Sequence, residues 1–163
     1  LVLCAGNIGR SPLGEVMLRH RLAVGLDVSE ADLGQHGVTV TSAGTNAPEG
    51  HPASQRGVAF ASERGLDLGG HRATQLSAAA ITAADLIYCM DTQQVAAVTA
   101  IDPSSLSKVK LLAGAGVEIP DPHHRSDAFF CDVAVRIERA ILELVPALLD
   151  ALGGSRGEAS VEQ

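Results

Sequence analysis

Aromatic side chains are nearly missing from this 163-residue sequence: Tyr88, Phe60, Phe129 and Phe130 are all there are, and Trp is absent. A hydrophobic core must therefore be assembled from Leu, Ile, Val and Ala. Basic residues are also few. Twelve Lys and Arg against nineteen Asp and Glu leave a formal net charge of -7, which gives nucleic acid or an anionic membrane surface little to hold. No apolar run approaches the roughly 20 residues that a bilayer span needs. The Leu1-Val2-Leu3 run is too short for a signal peptide and lacks a basic leader. Three cysteines, an odd number set far apart, make no disulfide framework and read as free thiols in a reducing compartment, hence a cytoplasmic expectation. The length suits one domain, which we place at 1–152, with 153–163 as a flexible tail.

What is present is an alternation of short apolar runs with longer helical stretches. Strands are expected at Leu1 to Cys4, Val38 to Thr41, Asp85 to Met90 and Val109 to Leu112. Helices are expected from Pro12 to about Val24, Ala53 to about Arg64, Asp91 to Ala100 and Asp127 to Leu152. Ser11-Pro12 suits a helix start, and Gly153-Gly154 suits a stop. Such alternation predicts an α/β fold: a small doubly wound parallel sheet of about four strands in flavodoxin-like order, with helices on both faces. In such sheets ligands sit beyond the carboxyl ends of strands, where strand order reverses. The turn after the first strand is the place to look.

That turn reads Cys4-Ala5-Gly6-Asn7-Ile8-Gly9-Arg10-Ser11-Pro12. A tight loop ending at a helix N-terminus points backbone N–H groups at one centre and makes an anion cradle, here residues Ala5 to Ser11. A cysteine at its edge feels those dipoles and the guanidinium, which favour the nucleophilic thiolate. Arg10 can hold two phosphoryl oxygens with paired donors, as Lys cannot. Gly6 and Gly9 let the backbone curl without blocking the anion. A nucleotide-binding P-loop would need Gly-Lys-Ser/Thr, and the dinucleotide fingerprint three glycines at another spacing. Cysteine phosphatase chemistry fits the loop.

Here the chain resembles the low-molecular-weight protein tyrosine phosphatases, whose signature is Cys-x-Gly-Asn-x-Cys-Arg-Ser-Pro. Cys4, Gly6, Asn7, Arg10, Ser11 and Pro12 match it. The resemblance continues, in the family's order, through Ser42-Ala43-Gly44-Thr45, Gly50-His51-Pro52, His71-Arg72, Asp85-Leu86-Ile87, Met90-Asp91 and Ile119-Pro120-Asp121-Pro122. Bacterial members associated with exopolysaccharide regulation look most similar. The resemblance implies hydrolysis of phosphotyrosine through a thiophosphate on Cys4, with Asp121 as general acid and then base. Asp-Pro taken alone is a turn; Pro120 and Pro122 would stiffen it. The resemblance also implies that Asn7, Ser11, Ser42 and His71 support the loop, Ser42 and His71 satisfying the Asn7 and Ser11 side chains. A phosphotyrosine protein and a bacterial tyrosine kinase are the implied partners. No cofactor or metal is implied.

The sequence departs from the family in two places. Gly9 stands where the family usually has a second cysteine, which can pair with the nucleophile; Cys4 should therefore over-oxidise more easily. The aromatic walls of the substrate slot are replaced by His123 and His124 on one side and by Asn46 to Gly50 on the other, with Ile8 in the loop itself. Imidazole offers less stacking surface than an aromatic ring. The His123-His124 pair could suggest a metal, but no Cys or carboxylate sits at ligand spacing, and a pocket-wall role is expected. Ile8 favours an aryl ester, whereas phosphoarginine-directed relatives carry Thr there. Two alternatives remain: an arsenate reductase of the same fold, which would need two further relay thiols, and a non-catalytic phosphate-binding relative. Against the former, Cys89 and Cys131 read as buried core thiols; against the latter, Cys4, Arg10 and Asp121 are all retained.

Overall fold

The computed structural model describes residues 1–158. Its centre is a four-stranded parallel sheet in the order β2-β1-β3-β4, built from β1 (Val2–Cys4), β2 (Ser42–Gly44), β3 (Ile87–Cys89) and β4 (Val109–Leu111). The order 2-1-3-4 is the flavodoxin-like order expected, and its reversal falls between β1 and β3. Side chains alternate along each strand. Val2, Cys4, Tyr88 and Met90 join one apolar cluster, while Leu3, Ile87 and Cys89 join another. The first cluster is covered by α1 (Arg10–Leu26), α2 (Gln55–Ser62) and α5 (Asp127–Glu158), which contribute Leu13, Met17, Phe60, Val133 and Ile137. The second takes Ile81 from α3 (Ala78–Ala83) and Val98 from α4 (Thr92–Ile101). Both faces are thus sealed mainly with aliphatic side chains, and the few aromatics Phe60, Tyr88 and Phe130 are spent in the first cluster. Among the described residues no helix is long and apolar enough to cross a membrane.

The second strand starts four residues later than expected, at Ser42–Gly44 rather than Val38 to Thr41. Parallel pairing sets Gly44 opposite Cys4, and that register is fixed by a close approach described below. Val38 is buried and Val40 packs beside the core, but the chain there is irregular. The outer side of β2 is occupied by the following segment: Gly44 N–H donates to Thr74 O at 2.9 Å and Leu76 N–H to Gly44 O at 2.8 Å. On the opposite rim β4 is three residues long and presents exposed Lys110.

Helix α1 begins at Arg10, before the expected Ser11-Pro12 start, so Pro12 occupies the third helical position; its missing N–H is still one that a first turn leaves unpaired. The last helix does not stop at Gly153-Gly154 but continues to Glu158. Glycine inside a helix costs only about 1 kcal/mol, so the pair does not by itself break the helix; α1, by contrast, closes on Asp27 in the left-handed region at φ 56°. Residues 159–163 of the expected tail lie outside the described residues. Short 3₁₀ helices at Glu30–His36 and Pro103–Lys108, together with α3, fall in stretches where no element was expected.

Candidate active site

The loop from Cys4 to Arg10 leaves the carboxyl end of β1 and enters α1. Four of its carbonyls are drawn outward. Thr45 N–H donates to Cys4 O at 3.1 Å, Asn46 N–H to Ala5 O at 2.9 Å, and Ser54 N–H to Ile8 O at 2.9 Å. His71 Nε2 lies 2.7 Å from Asn7 O; a carbonyl can only accept, so the ring carries its proton on Nε2. Each trans peptide points its N–H opposite its C=O. Those outward bonds therefore turn the amides of Ala5, Gly6, Ile8 and Gly9 toward the loop's interior.

Helix α1 adds to this. Gly9 offers no side-chain cap, whereas α2 and α3 start under Ser54 and Ser77, α4 under Asp91, and the first turn of α5 bonds Ser126. The one uncapped start among these helices faces the loop, where its free amides and dipole favour an anion.

Cys4 is buried, with 3% of its surface exposed. Asn7 N–H donates to its Sγ at 3.2 Å, and Ser11 Oγ stands 3.0 Å away. The direction of the Ser11 bond follows from its neighbours. Asn7 Nδ2 donates to Ser11 Oγ at 2.9 Å and to Ser42 Oγ at 2.8 Å. Ser42 spends its own proton on Glu15 Oε2 at 2.6 Å. The Ser11 proton is left for the sulfur, the alternative acceptor Ala43 O being at 3.4 Å. Asn7 itself is held at φ 52°, in the left-handed region that Asn tolerates, and its Oδ1 accepts from Thr74 N–H at 2.8 Å. This fully buried amide therefore has every side-chain group satisfied.

Close approach explains the register of β2. A β-carbon added to Gly44 would stand 2.5 Å from Ala5 O and 2.9 Å from Asn7 N. Only glycine lets the loop lie on the second strand.

Arg10 is 4% exposed. Its Nη1 donates to Asp91 Oδ2 at 3.1 Å and to Ile119 O at 2.9 Å, and its Nη2 to Asp121 Oδ2 at 2.7 Å. The other Asp121 oxygen accepts from His123 N–H at 2.9 Å. The Asp121 side chain remains 51% exposed. Cys4, Arg10 and Asp121, spread over the whole sequence, thus meet at the carboxyl ends of the strands.

The supporting residues differ from expectation in one respect. Ser42 reaches the Asn7 side chain, but His71 holds the Asn7 backbone carbonyl instead. Of the expected pocket residues, Ile8 is half-buried, and Asn46, His123 and His124 are exposed; the two imidazoles contact each other at 3.8 Å between ring centres. Cys131 is exposed rather than a core thiol, because it falls on the solvent side of the first turns of α5. Cys89 is buried as expected, and burial pushes its thiol up to about 12. Strand alternation places it on the sheet face opposite Cys4.

Two residues were missed. Asp91 joins Arg10 to the start of α4, using Oδ1 to accept from Gln93 N–H at 3.0 Å. Glu15 carries the Asn7–Ser42 chain on to Arg19, whose Nη2 donates to it at 2.8 Å. Position could have revealed both: Asp91 follows a strand end, and Glu15 stands one helical turn after Ser11.

The family model described as "Low molecular weight phosphotyrosine protein phosphatase" matches residues 1–153. The protein named low molecular weight protein-tyrosine-phosphatase Etp, from Escherichia coli K12, is 38% identical over 145 residues, covering 88% of this chain and 89% of that protein. Wzb of Salmonella typhi, named likewise, is 34% identical over 150 residues, covering 91% and 92%. The solved structure of Vibrio vulnificus Wzb in complex with benzylphosphonate superposes with a TM-score of 0.77 at 30% identity, over 90% of this chain and 95% of that one.

Proposed function

The chain belongs to the low-molecular-weight protein tyrosine phosphatases, cysteine-dependent phosphoric monoester hydrolases, and from that premise we propose that Cys4 is its nucleophile, Arg10 its phosphoryl clamp and Asp121 its general acid and base. The observation that carries this reading is the Cys4 sulfur with two donors on it, beneath a ring of inward amides, and Arg10 bonded to Asp121.

The Cys4 thiolate attacks phosphorus in line with the aryl oxygen. As the S–P bond forms, the P–O bond breaks and its electron pair goes to that oxygen, which takes the proton of Asp121. The inward amides of Ala5, Gly6, Ile8 and Gly9 and the Arg10 guanidinium hold the three remaining oxygens, a stabilisation that grows with the charge spread over them. Water then gives a proton to the Asp121 carboxylate and attacks phosphorus. The S–P bond breaks with its pair returning to sulfur, where the Ser11 hydroxyl and Asn7 N–H receive the charge. On occupation of the loop Arg10 Nη2 would exchange Asp121 for a phosphoryl oxygen, which would free that carboxyl to turn toward the leaving group.

The substrate proposed is phosphotyrosine on a protein, with a tyrosine kinase as the partner class and the cytoplasm as the compartment, residues 1–152 forming the catalytic domain. Ile8, Asn46, His123 and His124 would wall the ring. The benzylphosphonate on the Vibrio relative carries an aromatic ring one atom from phosphorus, the same spacing as a phosphotyrosyl group. The arsenate alternative is weakened by Cys89 facing the other side of the sheet.

Hydrolysis of an aryl phosphate tests the assignment. Cys4→Ser should abolish turnover, and Asp121→Asn should lower it by roughly 10²- to 10³-fold. Turnover surviving in Cys4→Ser would overturn the mechanism.

A further inference from the structure

Arg56 stands at the start of α2, between the phosphate loop and the segment that carries Asp121. Its Nη1 donates to Arg125 O at 2.9 Å and reaches Asp127 Oδ1 at 3.4 Å, and its Nη2 donates to Pro122 O at 3.4 Å. The guanidinium lies 4.8 Å above the Phe130 ring, and the side chain is 34% exposed. Two residues earlier, Ser54 N–H is bonded to Ile8 O at 2.9 Å. One short helix start therefore grips the phosphate loop with its backbone and the acid-bearing segment with this side chain. The donors of Arg56 point into that segment, so it is a strap rather than a ligand for substrate.

The strap matters because the tether on the Asp121 carboxylate itself is temporary. Asp121 is held by Arg10 Nη2, and in the mechanism proposed above that bond is exchanged for one to a phosphoryl oxygen. The segment from Asp121 to Ser126 is otherwise exposed apart from Pro122. Its internal bonds, Arg125 N–H to Pro122 O at 3.1 Å and His123 N–H to Asp121 Oδ1 at 2.9 Å, shape it without fixing it to the rest of the fold. The bonds from Arg56 to the carbonyls on either side of the two histidines do not involve Arg10, so a phosphoryl group on Arg10 does not compete for them.

We infer that Arg56 is a positioning residue for proton transfer, setting where the Asp121 carboxyl stands relative to the phosphate loop. The inference rests on Asp121 being the general acid. Misplacing an acid penalises only those leaving groups that need the proton, whereas damage to the phosphate loop penalises all of them.

The experiment measures kcat/KM, which covers the steps up to loss of the leaving group, across aryl phosphates from phenyl phosphate to 2,4-dinitrophenyl phosphate. Arg56→Ala should lose roughly tenfold on phenyl phosphate and less than about twofold on the dinitrophenyl ester. Arg56→Lys, which keeps the charge but not the planar fork, should fall between. Should Arg56→Ala not fold, Arg56→Met, which retains a stem over Phe130, replaces it. Asp121→Asn provides the reference and should show the steepest dependence on leaving group. A steep Asp121→Asn series beside a flat Arg56 series overturns the inference alone. A flat Asp121→Asn series overturns the acid assignment and the inference with it.

Discussion

Asn7 concentrates more of the site's order than any other residue. Its amide, carbonyl, side-chain oxygen and side-chain nitrogen bind Cys4, His71, Thr74, Ser11 and Ser42 in turn. Removing one partner leaves a buried donor unpaired, at about 1–3 kcal/mol. Ser42→Ala should therefore lower the melting temperature. Because Asn7 also orients the Ser11 hydroxyl, the variant should alkylate more slowly at Cys4 with iodoacetate and turn over roughly tenfold more slowly; unchanged alkylation would show that the chain of bonds ends short of the sulfur. Gly9 is the other informative residue. A β-carbon there would lie 4.0 Å from Phe130, an ordinary contact, so a side chain at this position is sterically allowed. Gly9→Cys should fold normally, and peroxide inactivation of that variant should be reversed by dithiothreitol to a greater extent than in the natural chain. Equal recovery would count against pairing of the two thiols.

At the level of elements, the boundary errors share a cause. Strand and helix types follow from apolar spacing, and all four strands and the helices at Arg10–Leu26, Gln55–Ser62, Thr92–Ile101 and Asp127–Glu158 stand near their expected places. The start of β2 could not be read from Val38 and Val40, because it is set by what lies across the ladder. Gly44 must face Cys4 so that Ala5 and Asn7 can rest on it. Gly44→Ala should therefore cost activity out of proportion to stability: a displacement near 1 Å in the loop is worth about 10² in rate. A variant with normal kcat/KM and an intact melt would contradict that packing. The site was legible wherever its residues are contiguous, from Cys4 to Pro12, or bracketed by prolines, as Asp121 is. The roles of Asp91, Glu15 and Arg56 were not, since each acts on a partner at long sequence range or through a helix turn; Asp91 and Glu15 had only their positions to mark them, and Arg56 had none.

For the molecule as a whole, the buried thiol of Cys89 links stability to alkaline pH. Burial raises it from the ordinary 9.0 to about 12, with Asp91 adding to the rise. Above pH 9 the unfolded chain gives up this proton while the folded chain keeps it. The contribution is thus complete below pH 9 and is lost as pH rises toward 12, at about 1.4 kcal/mol per pH unit for one proton. Burial raises Tyr88 as well, which acts in the same direction. Urea unfolding between pH 8.5 and 10.5 should show falling stability, and Cys89→Ala should flatten that slope by close to one proton; an unaltered slope would exclude the thiol as its source.

The two rims of the sheet bear on how the protein behaves when crowded. Unpaired strand edges invite other chains to add on, the first step toward fibres. One rim is already occupied by the chain's own 74–76 segment, and the other offers three residues with an ammonium group at their middle. An incoming strand thus meets one edge already paired and another that is short and charged, so a sheet that never closes on itself still offers little for a neighbouring chain to extend.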